Sequence, residues 1–244
     1  MPTALVVGLG LIGGAVGMAL RQRGWRVHYR DPLHSLDEAR NAGAADDVER
    51  GDEELIVVAT PVRDAVIEVA KTHSAVVTSV CSVMRPLRAA ARGRFVAGHP
   101  MAGWHEGGLQ NAHRVQLADA PWFLDAEEPL VEQLVHDCGA RPVRVEAAEH
   151  DAAVALTSHL PQVLSTALFA YLDPDVAKKF AGGGLRSFRL AASDGGMWSS
   201  VLEANRDNLR PHADKIAELV RAIIEGRDDD AFARARTLWR ALTE

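Results

Sequence analysis

The stretch 98–103, Gly-His-Pro-Met-Ala-Gly, contains the residue of this chain that is best suited to chemistry. It follows a short apolar run, 94–97, which has the length and composition of a buried strand. Two glycines and a proline favour a turn in which the backbone comes close to a ligand. His99 leaves the strand into this turn, where an imidazole could transfer protons near neutral pH. The alternative is a histidine satisfied by backbone hydrogen bonds.

A second motif, Gly-Leu-Gly-Leu-Ile-Gly at 8–13, fits G-x-G-x-x-G between an apolar strand and a helix. In this pattern Gly8 permits a tight turn, Gly10 lets the backbone approach a pyrophosphate, and Gly13 lets helix and strand pack closely. The helix N-terminus offers free N–H groups to the phosphates. The predicted contacts with a dinucleotide are the six residues Gly8, Leu9, Gly10, Leu11, Ile12 and Gly13.

The cofactor is expected to be NAD. Asp31 follows the next predicted strand, 26–29, and lies 18 residues beyond Gly13. An acid at about that spacing hydrogen-bonds the adenosine ribose, and it would repel the 2′-phosphate of NADP. Arg30 beside it could receive that phosphate, so NADP stays open as the second choice. Both residues are predicted to face the adenosine ribose.

Strands and helices must alternate to position these residues. Segments at 4–7, 26–29, 55–59, 75–80 and 94–97, most of them apolar, predict strands with helices between them, and two further strands follow near 122 and 142. This alternation predicts a Rossmann-type doubly wound parallel sheet. Its ligands bind beyond the carboxyl ends of the strands. The residues expected at such ends are Thr60 and Pro61 beside the cofactor, and Ser82 and His99.

The strand pattern stops near residue 149, which predicts a dinucleotide-binding domain over 1–148 and an all-helical domain over 149–244. Pro161 interrupts an apolar helical stretch and could turn His159 toward a site. Nearby arginines, Arg189 among them, suit carboxylates because a guanidinium binds them bidentately. The amphipathic helices toward the end of the chain predict a homodimer formed through them.

Composition narrows the class of protein. A net charge of −6 argues against a nucleic-acid partner, and two distant cysteines favour a reducing cytoplasm. Five glycines interrupt the apolar opening 4–20 and no Lys or Arg precedes it, so a strand, turn and helix explain it better than a targeting segment or a membrane span. His99, His105 and Glu106 do not have a recognised metal-ligand spacing, and no metal is predicted.

Three stretches together resemble the prephenate dehydrogenase family, which includes arogenate dehydrogenases. They are the motif at 98–103, His-Asp at 150–151 with Ser-His-Leu-Pro at 158–161, and Arg-Leu-Ala-Ala-Ser-Asp at 189–194 with Met-Trp at 197–198. The resemblance implies an NAD(P)-dependent oxidative decarboxylation of prephenate or arogenate to 4-hydroxyphenylpyruvate or tyrosine, in tyrosine biosynthesis. The substrate is then a small cyclohexadiene carboxylate.

The resemblance also implies roles for particular residues. His99 would accept the substrate's hydroxyl proton as a hydride leaves for the nicotinamide, and carbon dioxide would depart as the ring becomes aromatic. Ser82 resembles a partner of the catalytic histidine and the substrate hydroxyl. Arg189 would hold a substrate carboxylate. The expected substrate contacts are Arg189, Ser158, His159 and His105.

This chain departs from the family pattern chiefly on the substrate side. Ser79 and Met84 stand where an aspartate and a lysine often flank Ser82, His105 stands where an acid is common, and Gln162 replaces a histidine. The alternatives are therefore the same chemistry on an amino-substituted prephenate analogue in specialised metabolism, a β-hydroxyacid or imine dehydrogenase, or a non-catalytic NAD-binding sensor. The sequence leaves the choice of substrate open.

Overall fold

A computed structural model of the chain describes residues 1–193 and 195–243. Its larger sheet has six strands: β1 (Thr3–Val7), β2 (Arg26–Arg30), β3 (Asp47–Val48), β4 (Leu55–Val58), β5 (Val76–Ser79) and β6 (Phe95–Val96). All pairings in it are parallel, and the strand order is β3-β2-β1-β4-β5-β6. The order in which the strands are added thus reverses between β1 and β4, and a doubly wound sheet binds its ligand at this point. The predicted Rossmann-type architecture is confirmed.

Helices cover both faces of this sheet: α1 (Leu11–Gln22), α2 (Leu36–Asn41), α3 (Val62–Val69), α4 (Arg85–Ala90) and α5 (Pro129–Asp137), with a 3-10 turn at Leu109–Arg114. Ser35 caps α2 in a capping box: its hydroxyl accepts from Glu38 N while the Glu38 carboxylate accepts from Ser35 N. Alternate residues of β1 enter two different apolar clusters, one on each face. Burial on both faces explains the uninterrupted apolar strands.

The last three strands form a separate small sheet: β7 (Gly98–Pro100), β8 (Pro121–Leu124) and β9 (Arg141–Arg144). The sequence predicts these strands within the strand–helix alternation but does not predict their separation into a second sheet. The chain leaves the large sheet at Ala97, which exchanges hydrogen bonds with Asp125: Ala97 N donates to the carboxylate and Ala97 O accepts from Asp125 N. His99 consequently lies inside a strand, antiparallel to and opposite Phe123, rather than in the turn that the glycines predict.

The second half contains helices and no strand among its described residues, as predicted. Its elements are α6 (Ala147–Val154), a π turn (Ala155–His159), α7 (Leu160–Tyr171), α8 (Pro174–Phe180), α9 (Gly183–Arg186), a 3-10 turn (Arg189–Ala192), α10 (Gly195–Ala204), α11 (Arg206–Ile224) and α12 (Ala231–Thr243). The π turn precedes Pro161, which lies in the first turn of α7 where a missing N–H is tolerated. Pro161 therefore does not end the helical run.

The run Ala147–Tyr171 is 25 residues long and is apolar enough to cross a membrane by length and composition alone. Core helices of water-soluble proteins pass the same test, so this is weak evidence for a span. The run packs against the first half of the chain, since Asp151 near its N-terminal end hydrogen-bonds the start of α4. Val201 of α10 joins the apolar cluster around α3. These two contacts bring the helical half over the carboxyl edge of the large sheet.

Candidate active site

The glycine turn after β1 has the geometry that a dinucleotide requires. Gly8 has a φ of +94°, and a Cβ there would lie 2.8 Å from Ala59 O. A Cβ at Gly13 would lie 2.0 Å from Gly8 O, so only glycine lets α1 pack this closely on the turn. At Gly10, in contrast, a Cβ would meet no atom of the described residues within 4 Å. The backbone of Gly10 is therefore open to a ligand at the N-terminus of α1.

Asp31 lies beside this turn at the end of β2. Its Oδ2 accepts a 2.7 Å hydrogen bond from Leu9 N, and its Oδ1 accepts one of 2.7 Å from Leu33 N. Leu9 itself is fully buried, whereas Leu11 and Ile12 are half-buried in the first turn of α1. The carboxylate thus closes the glycine turn at the edge where an adenosine ribose would lie in a sheet of this kind.

The side chain of Arg30, beside Asp31, forms two ion pairs rather than a hydrogen bond with the glycine turn. Its Nε donates to Glu49 Oε2 at 2.7 Å, and its Nη1 donates to Glu68 Oε2 at 3.0 Å. Burial opposes ionisation of Glu68, but hydrogen bonds from Arg30 and Lys71 outweigh it and lower the pKa of that carboxyl. Burial of Arg30 is likewise outweighed by the bonds to Glu68 and Glu49, which raise the pKa of the guanidinium. Both carboxylates hold this arginine as a cation.

Thr60 and Pro61 follow β4 on the other side of the turn. Pro61 is the N-cap of α3, and the Thr60 methyl would lie 2.9 Å from a Cβ at Gly8. The Thr60 hydroxyl is buried and has no hydrogen-bond partner within the described ranges. An unpaired buried hydroxyl costs free energy that a bound ligand would recover. The open backbone at Gly10, the Asp31 carboxylate and this hydroxyl together fit a dinucleotide.

His99 is anchored beside the same edge of the sheet. The Ser79 hydroxyl at the end of β5 accepts from Gly98 N at 3.2 Å, which fixes the start of β7. A Cβ at Gly98 would lie 2.6 Å from Ser79 O, so the neighbouring residue must be glycine. His99 is 8% exposed. Burial, with smaller effects of His150 and His159, lowers the pKa of His99 to about 3, so its ring is neutral at pH 7.

Two residues of α6 continue from His99 into the interior. His99 Nδ1 lies 2.9 Å from His150 Nε2, and His150 Nδ1 lies 2.9 Å from Asp151 Oδ1. The Asp151 carboxylate also accepts from Met84 N at 2.8 Å and from Arg85 N at 2.9 Å. His150 and Asp151 belong to the motifs that resemble the family, but the resemblance implies no role for either. An adjacent His-Asp pair inside an apolar helix is the signal that could have found them.

His159 lies on the π turn and is fully buried. Its Nδ1 lies 3.1 Å from Asn205 Nδ2, which also donates to Asp151 O at 2.7 Å. His159 Nδ1 is therefore an acceptor, and Nε2 carries the proton. Nε2 is buried without a partner among the residues described. Burial, opposed by Asp151 and by the Ser82 backbone, lowers the pKa of His159 to about 4, and the Trp198 ring packs edge-on against it with centroids 5.8 Å apart.

The other predicted substrate contacts lie further out. Ser82 and Ser158 are half-buried, Ser82 after β5 and Ser158 on the π turn beside His159. Arg189 is exposed on its 3-10 turn, and its guanidinium has no ion pair or hydrogen bond in the part of the chain that the structure describes. His105 is exposed on the loop after β7 and stacks on Trp104, with ring centroids 4.6 Å apart. Neither is brought against His99.

Gln162, which replaces a histidine of the family pattern, anchors the segment that carries Arg189. Its side-chain nitrogen donates to Leu190 O at 2.8 Å, and its oxygen accepts from the Ser193 hydroxyl at 3.2 Å. The next residue of that motif, Asp194, lies outside the described residues. Gln162 is 3% exposed, so these bonds are shielded from water and hold the segment against α7.

Comparison with known proteins gives matches along most of the chain. Residues 16–143 match a family model described as the nucleotide-binding domain of prephenate dehydrogenase, and residues 146–236 match one described as its dimerization domain. The prephenate dehydrogenase of Bacillus subtilis is 28% identical, over 95% of this chain and 72% of that protein. The cyclohexadienyl dehydrogenase of Zymomonas mobilis is 26% identical, over 92% and 89%.

Solved structures agree in fold. The prephenate dehydrogenase from A. aeolicus, crystallised with hydroxyphenyl propionate and NAD+, superposes with a TM-score of 0.81 at 23% identity, covering 100% of this chain and 99% of that one. The Synechocystis arogenate dehydrogenase has a TM-score of 0.71 at 24% identity, with 99% and 98% covered. These proteins therefore share the fold described above.

Proposed function

Because the chain belongs to the prephenate dehydrogenase family, we propose that it catalyses the NAD-dependent oxidative decarboxylation of prephenate or arogenate in tyrosine biosynthesis. The observation that carries the proposal is the position of His99. Its neutral ring lies between the sheet edge that bears the glycine turn and the helical half that bears His159. A base is needed there because the reaction removes the proton of the substrate hydroxyl and a hydride from the carbon that bears this hydroxyl.

His99 accepts the hydroxyl proton at Nε2, since Nδ1 is engaged with His150. When bound, the oxidised nicotinamide supplies the acceptor for the hydride. The bond between the ring and its carboxylate then breaks, and the electron pair left by carbon dioxide completes an aromatic phenolate. His99 returns its proton to the phenolate oxygen, so that one hydride is transferred and no net proton is released. Aromatisation makes the reaction effectively irreversible.

Substrate binding is assigned to the helical half. We propose that Arg189 pairs with a substrate carboxylate, as a cation with no competing partner in the described chain can do. His159 Nε2–H and Ser158 line the pocket beside it, and Ser82 contacts the hydroxyl that is oxidised. His105 is the outermost of these contacts and would reach substrate only from the exposed loop after β7.

NAD rather than NADP is proposed as the cofactor. A 2′-phosphate needs a free cation near the adenosine ribose, and Arg30 is held by Glu49 and Glu68. Asp31 stands at that position as an acceptor of two backbone hydrogen bonds and would repel a phosphate. Both features support the unphosphorylated ribose.

A homodimer is proposed through the C-terminal helices, in line with the matched dimerization domain. Large apolar side chains are exposed on this half: Phe169, Tyr171, Phe180, Ile224, Phe232, Leu238, Trp239 and Leu242. Exposed large apolar side chains on these helices favour an interaction site there. The cytoplasm is the proposed compartment, supported by Cys81 and Cys138, which are free and buried.

The test is a steady-state assay of the purified full chain with prephenate and with arogenate, each with NAD and with NADP, followed by the absorbance of the reduced nicotinamide. We expect turnover with NAD and at least one of the two substrates. His99→Asn should lose turnover by about 10²-fold or more while NAD binding, measured by fluorescence titration, stays unchanged. Absence of turnover with both substrates in the wild type would instead support a sensor or an amino-substituted substrate.

A further inference from the structure

The hydrogen-bond chain behind His99 determines which of its ring nitrogens is free. Asp151 accepts from two backbone N–H groups, and its Oδ1 also meets His150 Nδ1, which must therefore carry the proton. In the neutral ring, His150 Nε2 is then an acceptor. His99 Nδ1 lies 2.9 Å away and must donate to it. The remaining nitrogen of His99, Nε2, then carries the lone pair, and it has no hydrogen-bond partner among the described residues.

The hydrogen-bonded series His99–His150–Asp151 is also held rigidly. Asp151 is fully buried and His150 is 2% exposed. The His150 ring meets the His99 ring edge-on at 86°, with centroids 5.1 Å apart, and the Phe123 ring also packs against His150 with centroids 5.5 Å apart. The Asn205 side-chain amide donates a hydrogen bond to the backbone carbonyl oxygen of Asp151. Rotation of either imidazole would break a buried hydrogen bond. Breaking a hydrogen bond in the protein interior costs more free energy than breaking it in water, because no water molecule replaces the lost partner.

We infer that His150 and Asp151 are positioning residues for the reaction: they hold His99 as the Nδ1–H tautomer and stabilise the imidazolium that forms when it takes the substrate proton. The inference rests on the proposed role of His99 as the proton acceptor. Once His99 is protonated, its Nδ1–H still donates to His150 and His150 still donates to the carboxylate, so no proton beyond the first has to move. The negative charge of Asp151 stabilises the His99 imidazolium through the polarised ring of His150, which lies between them.

Such support is needed at this site. Burial disfavours the charged form of His99, so a proton accepted from substrate would be poorly held without a nearby anion. Among the described residues, the groups that face His99 electrostatically are His150 and His159, both imidazoles, and Asp151 is the carboxylate bonded to the nearer of them. A triad in which a carboxylate orients a histidine for proton transfer works on the same principle.

The first experiment reads the tautomer without using activity. In a 15N-labelled sample, long-range 1H–15N correlation spectra distinguish Nδ1–H from Nε2–H rings, and His99→Asn assigns the signal. We expect the Nδ1–H form for His99 in the wild type and a mixture of tautomers in His150→Phe, which keeps the ring volume and removes the acceptor. A wild-type signal of the Nε2–H form would overturn the inference, whether or not the protein turns over prephenate or arogenate.

The second experiment is kinetic and uses His150→Phe, His150→Gln and the exposed control His113→Phe. His150→Phe should lower kcat by about 10²-fold with the KM values for substrate and NAD changed less than about twofold, because binding contacts are retained. His150→Gln, whose amide oxygen can accept from His99 Nδ1–H, should recover part of the loss. His113→Phe should match the wild type. Unchanged kcat in His150→Phe, or equal loss in both His150 variants, would refute a positioning role, whereas an inactive wild type would refute the proposed function instead.

Discussion

Burial of a neutral His99 makes the stability of the fold depend on pH. The ring is uncharged in the folded chain because its pKa is lowered to about 3, whereas in the unfolded chain it titrates near the ordinary value of about 6.5. Between these values the unfolded state binds one more proton than the folded state, so acidification favours unfolding. Stability is therefore full above about pH 6.5 and is lost as the pH falls toward the folded pKa.

The size of the effect follows from the same two values. At about pH 5 an unfolded histidine is almost fully protonated, and RT ln(1 + 10^1.5) is about 2 kcal/mol relative to about pH 7.5. The folded pKa enters this figure only weakly because it lies well below pH 5. His99→Gln removes this titration, so the variant should lose about 2 kcal/mol less than the wild type over the same pH step.

The assay is urea unfolding of wild type, His99→Gln and His113→Gln at both pH values and one protein concentration. The exposed His113 is the matched control and should give the pH dependence of the wild type. Buried His159, with its pKa lowered to about 4, contributes to all three proteins and cancels in the comparison. Equal losses in wild type and His99→Gln would refute the conclusion that His99 is buried as a neutral ring.

Three further outcomes are expected. Gly10→Ala should unfold like the wild type but bind NAD at least tenfold more weakly, because its Cβ would occupy the open space where the pyrophosphate would lie. Gly13→Ala should instead lower the melting temperature, because its Cβ would lie 2.0 Å from a carbonyl oxygen. Differential scanning fluorimetry and NAD titration distinguish the two effects. Glu49→Gln should lower the KM for NADP severalfold with the KM for NAD nearly unchanged, because it frees one side of the arginine that it pairs; no gain with NADP in steady-state assays would contradict this account of cofactor choice. Arg189→Ala should raise the substrate KM by a factor corresponding to about 1.5–3 kcal/mol, with Arg186→Ala as the control, and an unchanged KM would remove the carboxylate contact.

Local features of this protein were predictable because they depend on residues close together in the chain. The glycine turn at 8–13, the capping box at Ser35 and the apolar strands need only a few neighbouring residues, and each is present in the structure. The helical second half follows from the loss of strand periodicity after residue 149. Such patterns are set by backbone conformation and by which face of an element is apolar.

The pairings that give the candidate site its chemistry were decided by tertiary structure. His99 meets His150 51 residues away, and Arg30 meets Glu68 38 residues away, so no local pattern announces either contact. The split of the predicted sheet at Ala97 likewise depends on Asp125, 28 residues further on. A hydrogen bond of about 3 Å between distant side chains forms only when whole helices and strands have packed at one particular distance and rotation, and spacing along the chain carries no record of that.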